Sequence, residues 1–289
     1  MIESMKSFME SVLNRNGFNA DKDTLKFGER NLKLDDVITL SLPAGHSCPF
    51  AKDCRSCAIH NPRKRHDVGD RRKYIIQDGP ETKYRCFTAI DEVLRPNVRL
   101  ARWHNFFLLL AACRKSKSAV VRLIEASLPP AKWGRPTRAH VAGDFFNQTY
   151  FDAWMEIARR HPNRLFYAYT KALPFWIKRL KTIPKNFKLT ASYGGTHDDL
   201  IKKYKLRYSV VVSSLEEAKK LRLPIDHDDS HAYGNGGNFA LLLHGTQPEG
   251  SFFAKAWKKL IDIGMGGYGK QKIIRMGSKT VSVKTGYFS

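Results

Sequence analysis

The sequence predicts an α/β fold: an open or partial βα-barrel of about six strands, with a cysteine-rich metal-binding loop after the first strand and a basic C-terminal extension. Short apolar runs alternate with helical patterns from Arg138 onward, which is how a parallel sheet with crossover helices reads in sequence. No Gly-x-Gly-x-x-Gly follows any of these strands, so a dinucleotide-binding sheet has no support. The chain has 289 residues, 42% of them hydrophobic, enough to bury a core and too apolar for a disordered basic tail.

In chain order, residues 1–30 read as an N-terminal extension with one short helix from Ile2 to Leu13. Residues 31–262 form the barrel-like domain, carrying a metal-binding insertion at 43–90. Val37 to Leu42 is a buried strand, ended by Pro43 and Gly45. Asp91 to Leu128 has helical spacing, and Pro96 and the stretch around Ser116 divide it into two helices. Strands follow at Arg138–Ala142, Arg164–Thr170, Phe187–Ser192, Arg207–Val212 and Phe239–His244. Helices alternate with them at Gln148–Arg160, Pro174–Leu180, His197–Tyr204, Leu215–Leu221 and Ser251–Ile261. Phe151, Trp154 and Ile157 line one face of the first of these helices. Residues 263–289 read as a basic hairpin or tail, with the hairpin at Ile273–Val283.

Fifty Lys and Arg against 27 Asp and Glu give a formal charge of +23, and nucleic acid, DNA first, is the partner such a balance implies. The basic run Arg63, Lys64, Arg65, Arg71, Arg72 and Lys73 is a candidate phosphate contact, as are Lys258 and Lys270 further on. The longest apolar run, Phe106 to Cys113, has eight residues, far short of a membrane span. The acidic N-terminus lacks the apolar stretch of a secretion signal, so an intracellular protein is expected.

Three of the five cysteines fall together as Cys48-x5-Cys54-x2-Cys57. Thiolates at such spacing suit a metal, and Cys86 offers a fourth sulfur. His46, His60 and His66 are alternative ligands, and Cys113 reads as a core thiol. Zinc and a [4Fe–4S] cluster both accept four thiolates, and four would close the coordination sphere.

In a parallel βα sheet the chemistry lies at the carboxyl ends of the strands. Those ends supply Asp144 after Gly143 as a candidate nucleophile or general acid–base, with His140 and Lys171 beside it as further catalytic candidates. Asp144 as a helix cap is the structural alternative. Tyr169, Ser192 and Gly194 are candidate cofactor contacts, and Tyr167, Tyr169 and Tyr193 offer rings for a base. The run Asp226, His227, Asp228, Asp229, His231 reads as a solvated turn, with a second metal site as the alternative.

SLPAGHSCPFAKDCRSCA, KYRCF, RAHVAGDFF and FYAYTK together resemble the phage gene-product-88 family, from about Leu32 to Ser214. The resemblance implies a bacteriophage protein, expected in the host cytoplasm, with a cysteine metal site at Cys48, Cys54, Cys57 and Cys86 and with Asp144 in the shared Gly-Asp motif. The layout is also broadly similar to radical S-adenosylmethionine enzymes, whose x3-then-x2 cysteine triplet this chain does not match.

These readings lead to a DNA base-modifying enzyme. One version is base exchange with Asp144 attacking the sugar carbon; the other is radical chemistry at an iron–sulfur cluster that binds S-adenosylmethionine. A non-enzymatic iron–sulfur or zinc DNA-binding or host-takeover protein is the alternative. A metal-dependent nuclease comes third, because only Asp226–Asp229 could gather the carboxylates it needs.

Overall fold

The computed structural model describes residues 2–28, 34, 37–61, 73–130, 135–265, 271–276 and 279–284. Six parallel strands curl into a half-barrel flanked by helices: β1 (Ile38–Thr39), β4 (Thr137–Arg138), β5 (Phe166–Thr170), β6 (Phe187–Ser192), β7 (Tyr208–Val212) and β8 (Phe239–Leu242). Each pairs with the next in chain order, as in a barrel cut open; a doubly wound sheet would reverse order at a switch point. The two shortest strands continue as hydrogen-bonded backbone. Leu40 N donates to Arg138 O at 3.1 Å, Val141 N to Leu40 O at 3.0 Å, and Leu42 N to Ala142 O at 2.9 Å.

Two insertions separate β1 from β4. The first is an antiparallel hairpin of β2 (Ser56–His60) and β3 (Tyr74–Asp78). The second is three helices, α2 (Phe87–Leu94), α3 (Pro96–Lys115) and α4 (Lys117–Ser127). The expected boundaries hold, but the helical stretch begins four residues before Asp91, so there are three helices where two are predicted. Pro96 starts α3 at a position where its missing N–H costs nothing. Ser116 starts α4 by accepting from Ala119 N at 3.1 Å.

The crossover helices are α5 (Gln148–Arg160), α6 (Leu173–Ile177), α7 (Asp199–Lys203) and α8 (Leu215–Lys220), then α9 (Ser230–Tyr233) before β8 and α10 (Phe252–Asp262) after it. The strands' two faces have different neighbours. Phe166 and Ala168 pack with Phe151, Trp154 and Ile157 of α5 in the main core. Tyr167 and Tyr169 alternate to the opposite, inner face, with Phe239, Val37 and Ala232 of α9. Helix α1 (Ile2–Arg15) places Met5, Met9 and Leu13, one turn apart, in the main core. The basic end forms the hairpin β9 (Gln271–Met276) and β10 (Lys279–Lys284). No described helix is long and apolar enough to cross a membrane.

Candidate metal centre at the rim of the half-barrel

The cysteine loop leaves β1 through a turn that only glycine allows. Gly45 has φ +70°, and a Cβ there would stand 2.6 Å from Ser56 O and 3.0 Å from Cys57 Cβ. The buried Glu92 carboxylate holds this turn, accepting from Ala44 N at 2.8 Å and from Arg102 Nη1 at 2.9 Å. Beyond Cys48 the loop is tied to the end of β6. Lys52 N and Asp53 N both donate to Gly194 O, at 3.0 and 2.9 Å, and Thr196 N donates to Phe50 O at 3.0 Å. Gly194, at φ +92°, lets Asp53 approach; a Cβ would stand 2.9 Å from Asp53 Cβ.

Cys86 reaches the same rim from two directions. Lys83 N and Tyr84 N donate to Asp53 O at 2.8 and 3.1 Å, and Cys86 is the residue from which α2 starts. Gln247, past β8, accepts from Arg85 N at 2.7 Å and donates to Arg85 O at 3.2 Å. One side chain from the last strand's loop thus clips the segment that presents Cys86.

The thiols divide into three and one. Burial first, then the charges of Asp144, Cys86 and Cys54, push the Cys48 thiol well up. Burial likewise pushes Cys54 up to about 11, opposed by the Lys171 ammonium and reinforced by Cys86. These three are half-buried, whereas Cys57 is buried in β2 with its thiol 3.8 Å from Gln77 O. Burial pushes Cys57 up to about 11 as well, but the charges acting on it are Glu92, Arg55 and Asp78. Of the expected four, Cys48 and Cys54 both feel the charge of Cys86, while none of the charges acting on Cys57 comes from these three. Among the described residues, no three His, Cys, Asp or Glu side chains gather tightly enough to hold a single metal ion.

The alternative ligands are engaged elsewhere or not described. His46 lies 3.2 Å from Ala58 O and against the Trp103 ring at 4.9 Å, and burial lowers its pKa. His60 packs on Phe8 at 4.9 Å, and His66 lies outside the described residues. Cys113 sits at the edge of the main core, 3.8 Å from Asn147 Oδ1.

Asp144 stands beside the thiols, 5% exposed, with both oxygens bonded. Oδ1 accepts from Thr170 Oγ1 at 2.6 Å and Phe145 N at 2.7 Å, and Oδ2 accepts from Lys171 N at 2.8 Å. Burial raises its pKa, and the three hydrogen bonds oppose that rise. Its carboxylate therefore fastens the end of β4 to the end of β5. The helix cap is Asn147, whose Oδ1 accepts from Tyr150 N at 2.8 Å. Gly143, at φ +84°, makes the approach possible, since a Cβ there would stand 2.5 Å from Ser47 Oγ.

Lys171 and Ser192 meet on the inner face, the ammonium donating to Ser192 Oγ at 2.6 Å. Two other candidates are spent on the protein itself. Gly194 N donates to Asp198 Oδ2 at 2.8 Å, and Gly195 N to Asp198 Oδ1 at 3.0 Å. The Tyr169 hydroxyl donates to Asp229 at 3.2 Å, and its ring carries the Arg138 guanidinium 4.5 Å away. Tyr167 also donates to Asp229, at 2.9 Å. His140 is 2% exposed beside Tyr150, 3.0 Å from its hydroxyl, and burial together with Arg138 pushes its pKa down to about 3. A neutral, enclosed imidazole of this kind fills space in the core.

The acidic run is a solvated turn only in part, with His227 and Asp228 exposed. Asp226 and Asp229 are buried, and Asp229 pairs with Arg138 at 2.6 Å inside the half-barrel. Sequence reading missed this because the partner lies 91 residues earlier. It also missed Asp198 and Gln247, whose side chains set the loops around the cysteines. Of the candidate phosphate contacts, Lys73 precedes β3, and Lys258 is exposed on α10. Arg63, Lys64, Arg65, Arg71, Arg72 and Lys270 lie outside the described residues.

A family model described as Gene product 88 matches residues 13–261. No curated protein and no solved structure matches the chain.

Proposed function

The chain belongs to the phage gene product 88 family, and from that premise we propose that it is an iron–sulfur enzyme that uses S-adenosylmethionine on a nucleic-acid substrate. The observation that supports this reading is that Cys48, Cys54 and Cys86 act electrostatically on a shared site beside Asp144, whereas Cys57 lies in β2 with its thiol 3.8 Å from Gln77 O and feels Glu92, Arg55 and Asp78 instead. Three sulfur donors, two of which, Cys48 and Cys54, have thiols pushed up by burial and by neighbouring negative charge, suit a positively charged centre. A cluster binds each thiolate to a different iron, so it accepts thiols that share a site without converging on one point. Cys48, Cys54 and Cys86 would be the residues to hold such a cluster, and a site with fewer protein ligands than metal positions would be open to chemistry. When bound there, S-adenosylmethionine supplies one-electron radical chemistry.

The chain's own residues would prepare that position. Lys171 carries its charge beside Cys54 and favours the thiolate there. Asp144 holds the Lys171 backbone, and through Thr170 the strand end, at a fixed distance from the cysteine loop. Its committed oxygens support a positioning residue over a nucleophile. The surplus of 23 positive charges supports a polyanionic substrate, DNA first.

The test is anaerobic purification followed by an absorption spectrum and incubation with S-adenosylmethionine and dithionite. The reading expects a broad band near about 400 nm and release of methionine with 5′-deoxyadenosine. A colourless zinc protein would overturn it. A coloured protein that leaves S-adenosylmethionine intact would instead support the non-enzymatic DNA-binding class.

A further inference from the structure

A groove of about 560 Å³ opens beside β7, between α7 and the loop that enters β8. Its volume is within the range of about 300–1,000 Å³ that small-molecule sites occupy, room for one nucleotide and too little for a duplex. Tyr193 and Tyr208 form one wall. Their rings meet 4.9 Å apart at 86°, so together they present a ring face and a ring edge.

Lys202, Lys205 and Arg207 supply the charge, and among the described residues no Asp or Glu lines the groove. Lys202 and Lys205 are exposed, with their ammonium groups at the end of α7. Arg207 is already committed. It donates to Leu189 O, His231 O, Ala232 O and Gly234 O, fastening α9 to the start of β7 while keeping its charge at the groove. The far wall is open backbone, since a Cβ at Gly237 would meet nothing within 4 Å. Next to it Asn238 accepts from Tyr208 N at 3.0 Å, which fixes its amide on that wall.

Cations and tyrosine rings in a groove of one-nucleotide width are the combination by which single strands are held: phosphates by charge, bases by stacking. The groove also connects to the proposed centre. Tyr193 directly precedes Gly194, whose carbonyl binds the loop that carries Cys54. The geometry points to this groove as the seat of one nucleotide of a single-stranded nucleic acid, entering toward the cysteine rim. The inference rests on the nucleic-acid part of the proposed function and names where that substrate is gripped.

The test is a fluorescence-anisotropy titration of the purified full chain with a fluorescein-labelled single-stranded DNA 15-mer, repeated over a range of salt. The double variant Lys202→Glu/Lys205→Glu is expected to weaken binding by at least about tenfold. It should also flatten the log–log salt slope by about 1.4, from roughly 0.7 per lost single-strand phosphate contact. Tyr193→Leu, which keeps the charge, is expected to weaken binding at least about fivefold, the lower end of a lost base stack. Lys219→Glu/Lys220→Glu, two exposed lysines of α8 outside the groove, makes the same charge change away from it. Equal losses in the two charge variants, or an unaffected Tyr193→Leu, would overturn the groove while leaving nucleic-acid binding intact. A wild-type chain that binds no oligonucleotide would overturn the nucleic-acid reading itself.

Discussion

His140→Gln should make the protein less sensitive to acid. The ordinary histidine pKa is about 6.5, and burial beside Arg138 pushes that of His140 down to about 3. Between those values the unfolded chain binds a proton that the folded chain refuses, so stability rises with pH across this window and is lost as pH falls. At pH 5 the difference is about 1.5 pH units below the unfolded value, at about 1.36 kcal/mol per unit, or about 2 kcal/mol. At pH 7 the same term is only about 0.2 kcal/mol. Gln cannot titrate, and its amide can still reach the Tyr150 hydroxyl that His140 Nε2 meets at 3.0 Å. Urea unfolding of both proteins at pH 7 and pH 5 reads the difference. The wild type should lose about 2 kcal/mol more than the variant over that interval. Equal losses would show that His140 is protonated in the folded protein and that the core around it admits charge.

Gly143→Ala should destabilise by about 2–5 kcal/mol, combining about 1–2 kcal/mol for a left-handed backbone with about 1–3 kcal/mol for overpacking. The added Cβ would stand 2.5 Å from Ser47 Oγ and 2.6 Å from Leu42 Cβ, so the cysteine loop must shift, and chemical denaturation would read the cost. A loss under 1 kcal/mol would mean that the Gly-Asp turn is not packed against β1. Asp229→Asn leaves the Arg138 guanidinium buried without its counter-charge and should cost about 3–5 kcal/mol. Replacing both, Arg138→Met with Asp229→Leu, should cost less than the single change, measured in the same unfolding assay. A double variant weaker than the single would show that the pair contributes net stability.

The half-barrel was legible because its signals are local. Phe151, Trp154 and Ile157 recur at helical spacing behind an Asn147 cap, and Phe187 to Ser192 is a strand over the predicted residues. The site was legible only in part, because orientation depends on distant partners. Spacing places Cys57 with Cys48 and Cys54, but its thiol direction follows from strand register, Cys57 opposite Gln77 in a hairpin that leaves no clear pattern in sequence. Asp226-His-Asp-Asp-Ser230 has the composition of a surface turn. Asp229 within it is nonetheless buried, because at φ +66° it meets Arg138, Tyr167 and Tyr169, none of which is near it in sequence. Cys86 reaches the rim because Gln247, 162 residues from Arg85, holds the preceding backbone.

The most direct test is iron content and visible absorption of four single variants purified anaerobically, with Cys48, Cys54, Cys57 and Cys86 each replaced by Ser. The three-thiol account predicts that the chromophore and its iron are lost or sharply reduced in Cys48→Ser, Cys54→Ser and Cys86→Ser, and kept in Cys57→Ser. Loss in Cys57→Ser together with retention in Cys86→Ser would contradict it.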